Sequence, residues 1–141
     1  MQGKGKARTT NYYDTLIEIA DDCPAARGEI PPQRAARKTI AATQFELVRQ
    51  HPYTYTSDDV LFLVSAERSG LAKREYPEAR KRMFARGQAC LRSSPLAKRY
   101  GWGIHANSEG HIALIGAETD AYKRLQRDET VRKLKALRSR R

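Results

Sequence analysis

Residues 100–116 read Tyr-Gly-Trp-Gly-Ile-His-Ala-Asn-Ser-Glu-Gly-His-Ile-Ala-Leu-Ile-Gly. Two alternating runs flank Asn107-Ser108-Glu109-Gly110, and those four residues carry turn chemistry. The pattern is a hairpin closed by a type I turn, with Gly110 in the left-handed position. That geometry sets a register. Ile104 falls opposite Leu114, Ala106 opposite Ile112 and Trp102 opposite Gly116, which makes one apolar face where the indole can lie across a bare glycine. The other face carries Gly101, Gly103, His105, His111 and Ala113. Its two glycines leave backbone uncovered, which suits close approach by a helix or a ligand.

A lone hairpin is marginal in water, so other elements must cover it. Tyr12 to Ala20 supplies a strand: Tyr13, Thr15, Ile17 and Ile19 alternate with Asp14, Leu16 and Glu18. Asp21-Asp22-Cys23-Pro24 ends it, and residues 24–35, with Gly28 and Pro31-Pro32, form a loop. Ile40, Ala41, Phe45, Leu47 and Val48 follow a helical period between Ala36 and Gln50, stopped by His51-Pro52. Thr56-Ser57-Asp58-Asp59 is a capped, acidic helix start. Val60 to Ala66 is rich in β-branched residues and fits a buried strand as well, but the cap and Gly70 as a stop favour helix. Pro77 to Arg86 reads as a solvated basic helix, and Ser94-Pro95 opens a short turn to Arg99. Glu118 to Gln126 and Glu129 to Leu137 are helical in pattern, the second merging into a basic tail.

The expected fold is α+β: an N-terminal strand and a C-terminal β-hairpin in a small antiparallel sheet, with four or five helices on one face. A flexible basic tail (1–10), a single domain (11–131) and a basic C-terminal tail (132–141) describe the organisation.

The length of 141 residues suits one core. No apolar run approaches a membrane span; Val60 to Val64 is far too short. The net charge of +11 suggests nucleic acid, but its location matters. Residues 1–10 carry +3 and residues 132–141 carry +6, which leaves +2 for the body. Within the body one basic stripe, residues 73–99, holds nine bases against Glu75 and Glu78. Cys23 and Cys90 make neither a disulfide framework nor a metal-ligand spacing, so a reduced, cytoplasmic compartment is the simplest expectation.

The densest cluster of reactive residues is 87–105. Ser94 before Pro95 is a cap-then-first-turn signal, and free amides there beside Arg92 would suit a phosphate or carboxylate, with Ser93, Lys98, Arg99, Tyr100 and Trp102 as further ligand-binding residues. The plainer reading is that Ser94 only caps its helix while Arg92 pairs with a surface acid. Cys90 beside arginine could be a nucleophile with His105 as base, though most cysteines are small buried hydrophobes. His51, His105 and His111 lack metal-site spacing. Asp58-Asp59 face apart on a helix and serve its start. Gly101-Xaa-Gly103 lies inside a hairpin rather than between strand and helix, so no cofactor is expected.

Several stretches are similar to a family of small bacterial proteins known as a domain of unknown function, number 6157. They are Asn11 to Thr15, Asp21 to Pro24, Tyr55 to Phe62 and, longest, Gly87 through Cys90-Leu91-Arg92-Ser93-Ser94-Pro95-Leu96 to Arg99-Tyr100-Gly101-Trp102-Gly103-Ile104-His105. Glu109-Gly110 and Ala113-Leu114 follow in similar positions. The resemblance spans about residues 10–138 and implies no activity, cofactor or functional residue.

Three functions compete on these residues. The first is a non-catalytic binding module for an anionic ligand or nucleic acid, using the basic stripe 73–99 and the tails. The second is a small enzyme with a Cys90 nucleophile and His105 base. The third is a homo-oligomeric scaffold in which the apolar hairpin face completes a core across a two-fold axis. No membrane partner is expected.

Overall fold

A computed structural model describes residues 8–33 and 36–140. Strand β1 (Thr15–Glu18) carries the sheet. It pairs antiparallel with β2 (Trp102–Ala106), which pairs antiparallel with β3 (Ile112–Gly116). The hairpin register is the one the turn chemistry dictates: Ile104 with Leu114, Ala106 with Ile112 and Trp102 with Gly116. Gly110 closes the turn at φ +84°, and the Asn107 carboxamide oxygen accepts from the amides of Glu109 and His111.

The other edge of β1 corrects the sequence reading. Residues 132–135, expected as the end of a helix running into a tail, form β4 (Arg132–Lys135), parallel to β1, in a sheet of order β3-β2-β1-β4. The cause is tertiary. Leu16 and Ile17 bury β1 on both faces, and a buried strand must pair the amides and carbonyls of both its edges. Arg132 N–H donates to the Asp14 carbonyl and Ala136 N–H to that of Glu18, both at 2.8 Å. Arg92 pins the outer side, its Nε donating to the Lys135 carbonyl (2.7 Å) and its own carbonyl accepting from Leu137 N–H (2.9 Å). The weak helical pattern of 129–137 loses to these bonds.

Helices α1 (Ile40–Gln50), α2 (Ser57–Ser69), α3 (Tyr76–Ala85), α4 (Pro95–Arg99) and α5 (Asp120–Arg127) surround the sheet. Residues 60–66 are helix. Thr56 and Asp59 form a reciprocal capping box, and Gly70 ends α2 in the left-handed conformation (φ +67°). One sheet face packs Ile17, Trp102, Ile104, Ile112 and Leu114 against α1, α2 and α4. The expectation of helices on one face alone is corrected by α5, whose Tyr122 joins Leu16 and Val131 on the opposite face. A third cluster, Phe62, Ala66 and Phe84, holds α3 to α2.

The glycines show why the faces differ. A Cβ on Gly103 would lie 2.5 Å from the Tyr122 ring, and one on Gly101 (φ +76°) would lie 2.1 Å from the Arg27 carbonyl oxygen. The uncovered backbone is therefore used by a helix and a loop. Gly28, rather than Gly116, gives room to the Trp102 ring.

Among the described residues no helix is long and apolar enough to cross a membrane. The N-terminal segment is tied down from Arg8, whose amide donates to the Phe84 carbonyl, and Thr10 bonds the Asp58 carboxylate through both its amide and its hydroxyl.

A chain ending at Val131 should lose about 2 kcal/mol or more of unfolding free energy, from the ladder bonds removed and the exposed edge of β1. One ending at Leu137 should lose much less. Urea unfolding followed by the single tryptophan would show this; equal midpoints for the two truncations would mean that β4 contributes nothing.

A candidate anion-binding groove

Ser94 does more than cap. Its Oγ accepts from Leu96 N–H at 3.2 Å and donates to Gln44 Oε1 at 2.6 Å, so it joins the start of α4 to the middle of α1 inside the core. Arg92 serves β4, as described, rather than a surface acid. The Trp102 indole is buried, donates to the Glu29 carbonyl (2.8 Å) and lies beneath the Arg49 guanidinium, 5.0 Å from the ring centre. These three expected ligand-binding residues thus already have structural duties.

The other four come together. Ser93, Lys98, Arg99 and Tyr100 line an open groove of about 820 Å³ between α4 and the start of α1. Its opposite wall is Thr39, Ile40 and Ala41, the cap and first residues of α1, and Arg68 of α2 also lines it. Among the described residues no carboxylate is in the lining. Among the described residues no acid pairs with Lys98 or Arg99. Arg68 spends one N–H on the Lys38 carbonyl (2.6 Å) and keeps the rest of its fork. Cations held in a concave surface without counter-charges attract an anion more strongly than the same cations on an open face.

Two other cations of the basic stripe have acidic partners. Arg80 pairs with Asp59 at 2.9 Å and lies over the Phe62 and Phe84 rings, and Lys81 stands 3.9 Å from Glu78. Residues 1–7 and 141 lie outside the described residues, so the basic N-terminal tail is seen only from Arg8.

Cys90 and His105 are not brought together. Cys90 is half-buried and accepts from the Tyr12 hydroxyl (3.3 Å), in a segment that packs on the face of Ile17 and Ile104. His105 projects from the opposite face, where its Nδ1 lies 2.8 Å from the Tyr53 hydroxyl and the two rings meet edge to face. Tyr53 does not stand out in the sequence. It holds a left-handed backbone (φ +55°), a strain of about 1 kcal/mol for a side-chain-bearing residue, offset by its amide bond to the Ile112 carbonyl (2.8 Å). The only local hint is its place after His51-Pro52. Among the described residues no three histidines, cysteines or acids could together hold a metal ion.

The long 87–105 stretch thus divides between core, strand support and groove wall, and its likeness to other chains can now be given a family. A model described as a family of unknown function, DUF6157, matches residues 7–141. The chain belongs to that family. The match takes in β4 and the residues that follow it, so the DUF6157 unit includes the strand that sequence pattern alone assigns to a tail. Neither the curated proteins nor the solved structures yield a match.

Burial holds the His105 pKa below the ordinary 6.5, against the opposing charges of Asp14 and Asp128. The neutral ring is the form that can accept the Tyr53 hydroxyl. Because the folded value is depressed, the stability it contributes is complete above the unfolded value and is lost as pH falls through the folded one. Asp22 is likewise held below its ordinary 3.8, by the Arg140 amide. The His105 imidazole should titrate below 6.5 by NMR, and the melting temperature should begin to fall below that pH less in His105→Gln than in the parent. A His105 midpoint above 6.5 would refute this.

Proposed function

We propose that this protein is a non-catalytic binding module for an anionic ligand, held in the groove between α1 and α4 by Lys98 and Arg99. The observation that carries the reading is charge composition: Arg68, Lys98 and Arg99 line a concave surface that contains no carboxylate among the described residues. Ser93, Thr39 and Tyr100 add hydroxyl groups that can donate to phosphate or carboxylate oxygens. Binding to a single small anion fits this better than sequence-independent binding to nucleic acid. Stacking on successive bases needs exposed aromatics along a basic track, whereas Trp102 is interior and Arg80 is paired. The basic ends would add salt-sensitive, nonspecific attraction to any polyanion. A reduced cytoplasmic location accords with two free cysteines, Cys23 and Cys90.

Inorganic phosphate titrated by isothermal calorimetry or amide NMR should bind at low ionic strength, weaken with added salt, and shift resonances of residues 93–100. Lys98→Glu with Arg99→Glu should reduce affinity about tenfold or more, since removing one charge-assisted hydrogen bond costs on the order of 1.5–3 kcal/mol. Cys90→Ser should leave it unchanged. Phosphate shifts spread evenly over the basic surface, untouched by the double substitution, would remove the groove from this account.

A further inference from the structure

The groove does not end at Arg68. A second hollow of about 380 Å³ continues from it, sharing Ile40 and Arg68 and running between α1 and α2. Leu61 and Val64 give it an apolar floor, and Arg37 and Ser69 stand at its margin. Ile40, on the ridge between the hollows, is 47% exposed, although it begins a helix whose neighbouring residues Ala41 and Ala42 are buried. Among the described residues no carboxylate lines either hollow.

Gln44, only 4% exposed as a whole, also lines the second hollow. Its Oε1 accepts from Ser94. No buried side-chain nitrogen or oxygen among the described residues lacks a hydrogen-bond partner, so its Nε2 stays within reach of solvent and can donate to a ligand oxygen in the hollow.

We infer that the ligand is a small organic anion with an apolar body, an alkyl or aryl phosphate or carboxylate. Its head sits at Lys98 and Arg99, and its body lies over Ile40, Leu61 and Val64 with a polar atom toward Gln44. This rests on the anion reading above and goes beyond it. Inorganic phosphate alone would leave the apolar floor wet, and a uniformly charged polyanion would have to set charge against it.

The test compares octyl phosphate, kept below its micelle concentration, with inorganic phosphate by amide NMR titration. The expected result is binding at least about tenfold tighter for octyl phosphate, the gain from two or three buried methylenes, with shifts at 40, 44, 61 and 64 as well as 93–100. Ile40→Ser, at a position already half exposed, should erase most of that gain, read as the ratio of octyl phosphate to inorganic phosphate affinity. Lys98→Glu with Arg99→Glu should weaken both ligands. Equal affinities for the two ligands would overturn the apolar subsite and leave the anion site standing. An octyl phosphate gain indifferent to Ile40→Ser would place the chain elsewhere and overturn it too. Binding of neither ligand would sink both readings. Groove-dependent attachment to phosphatidic acid vesicles, without binding of free octyl phosphate, would transfer the site to a membrane headgroup and refute a soluble ligand.

Discussion

Four residues, Thr15-Leu16-Ile17-Glu18, set the terms for everything around them. As β1 they lie inside the sheet, with Leu16 facing Tyr122 and Val131 on one side and Ile17 facing the main core on the other. A strand buried on both faces can hydrogen-bond only to other strands, because no water reaches its edges. One edge is met by the hairpin. The other requires a segment from the far end of the chain, and Arg132–Lys135 is recruited to it despite exposed, basic side chains that alone would form no strand. The basic composition of 132–135 also blunts the outer edge that β4 presents. Arg92 completes the arrangement, because a guanidinium can reach a carbonyl on the outer side that no further strand covers. Chain closure is thus a consequence of burying β1.

The hairpin's bare face follows from the same constraint. With two faces to cover and few residues to do it, helix α5 must approach β2 closely, and only glycine at 103 lets the Tyr122 ring sit against the strand. Tyr122 then spends its hydroxyl on the Ile19 amide at 3.0 Å, just beyond the end of β1. Glycine spacing that suits a ligand is consumed by packing. The open concavity is left on the helical side, where α4 is too short to cover the first turn of α1. The groove is a residue of how the helices fit.

Sequence reading goes furthest where the determinants are local. The 107–110 turn dictates a register that the strands keep, and the Thr56 cap with Gly70 resolves 57–69 as helix against its β-branched composition. Ser94-Pro95 reads correctly as a cap and first turn, but its second bond, to Gln44 fifty residues earlier, has no local signature. The same limit hides β4, whose reason lies in an edge 117 positions away, and Tyr53, whose significance is a bond to His105 across the sheet. Of the groove, Ser93, Lys98, Arg99 and Tyr100 are legible as a cluster near a helix start. The opposite wall is not, because Thr39, Ile40 and Arg68 carry ordinary helix chemistry and meet the others only by folding.

Basic charge is the first functional signal in this sequence, and the fold shows why counting it misleads. A cation informs about ligands only when its hydrogen bonds are unspent. Arg92 is held by a strand carbonyl, and Arg80 by a carboxylate and two aromatic faces. Lys38 pairs with Glu46, and Lys135 stands 3.2 Å from Asp21. Each of these adds to net charge and little to recognition. Lys98 and Arg99 differ because α4 directs them along a wall whose other members are hydroxyls, apolar carbons and one more arginine. An acid within reach would have neutralised the pair at small cost, since exposed ion pairs form readily wherever geometry allows. Among the described residues no acid lines that wall, and Asp22, which shares a separate hollow with Arg99, has its carboxylate accepting from the Ser139 and Arg140 amides.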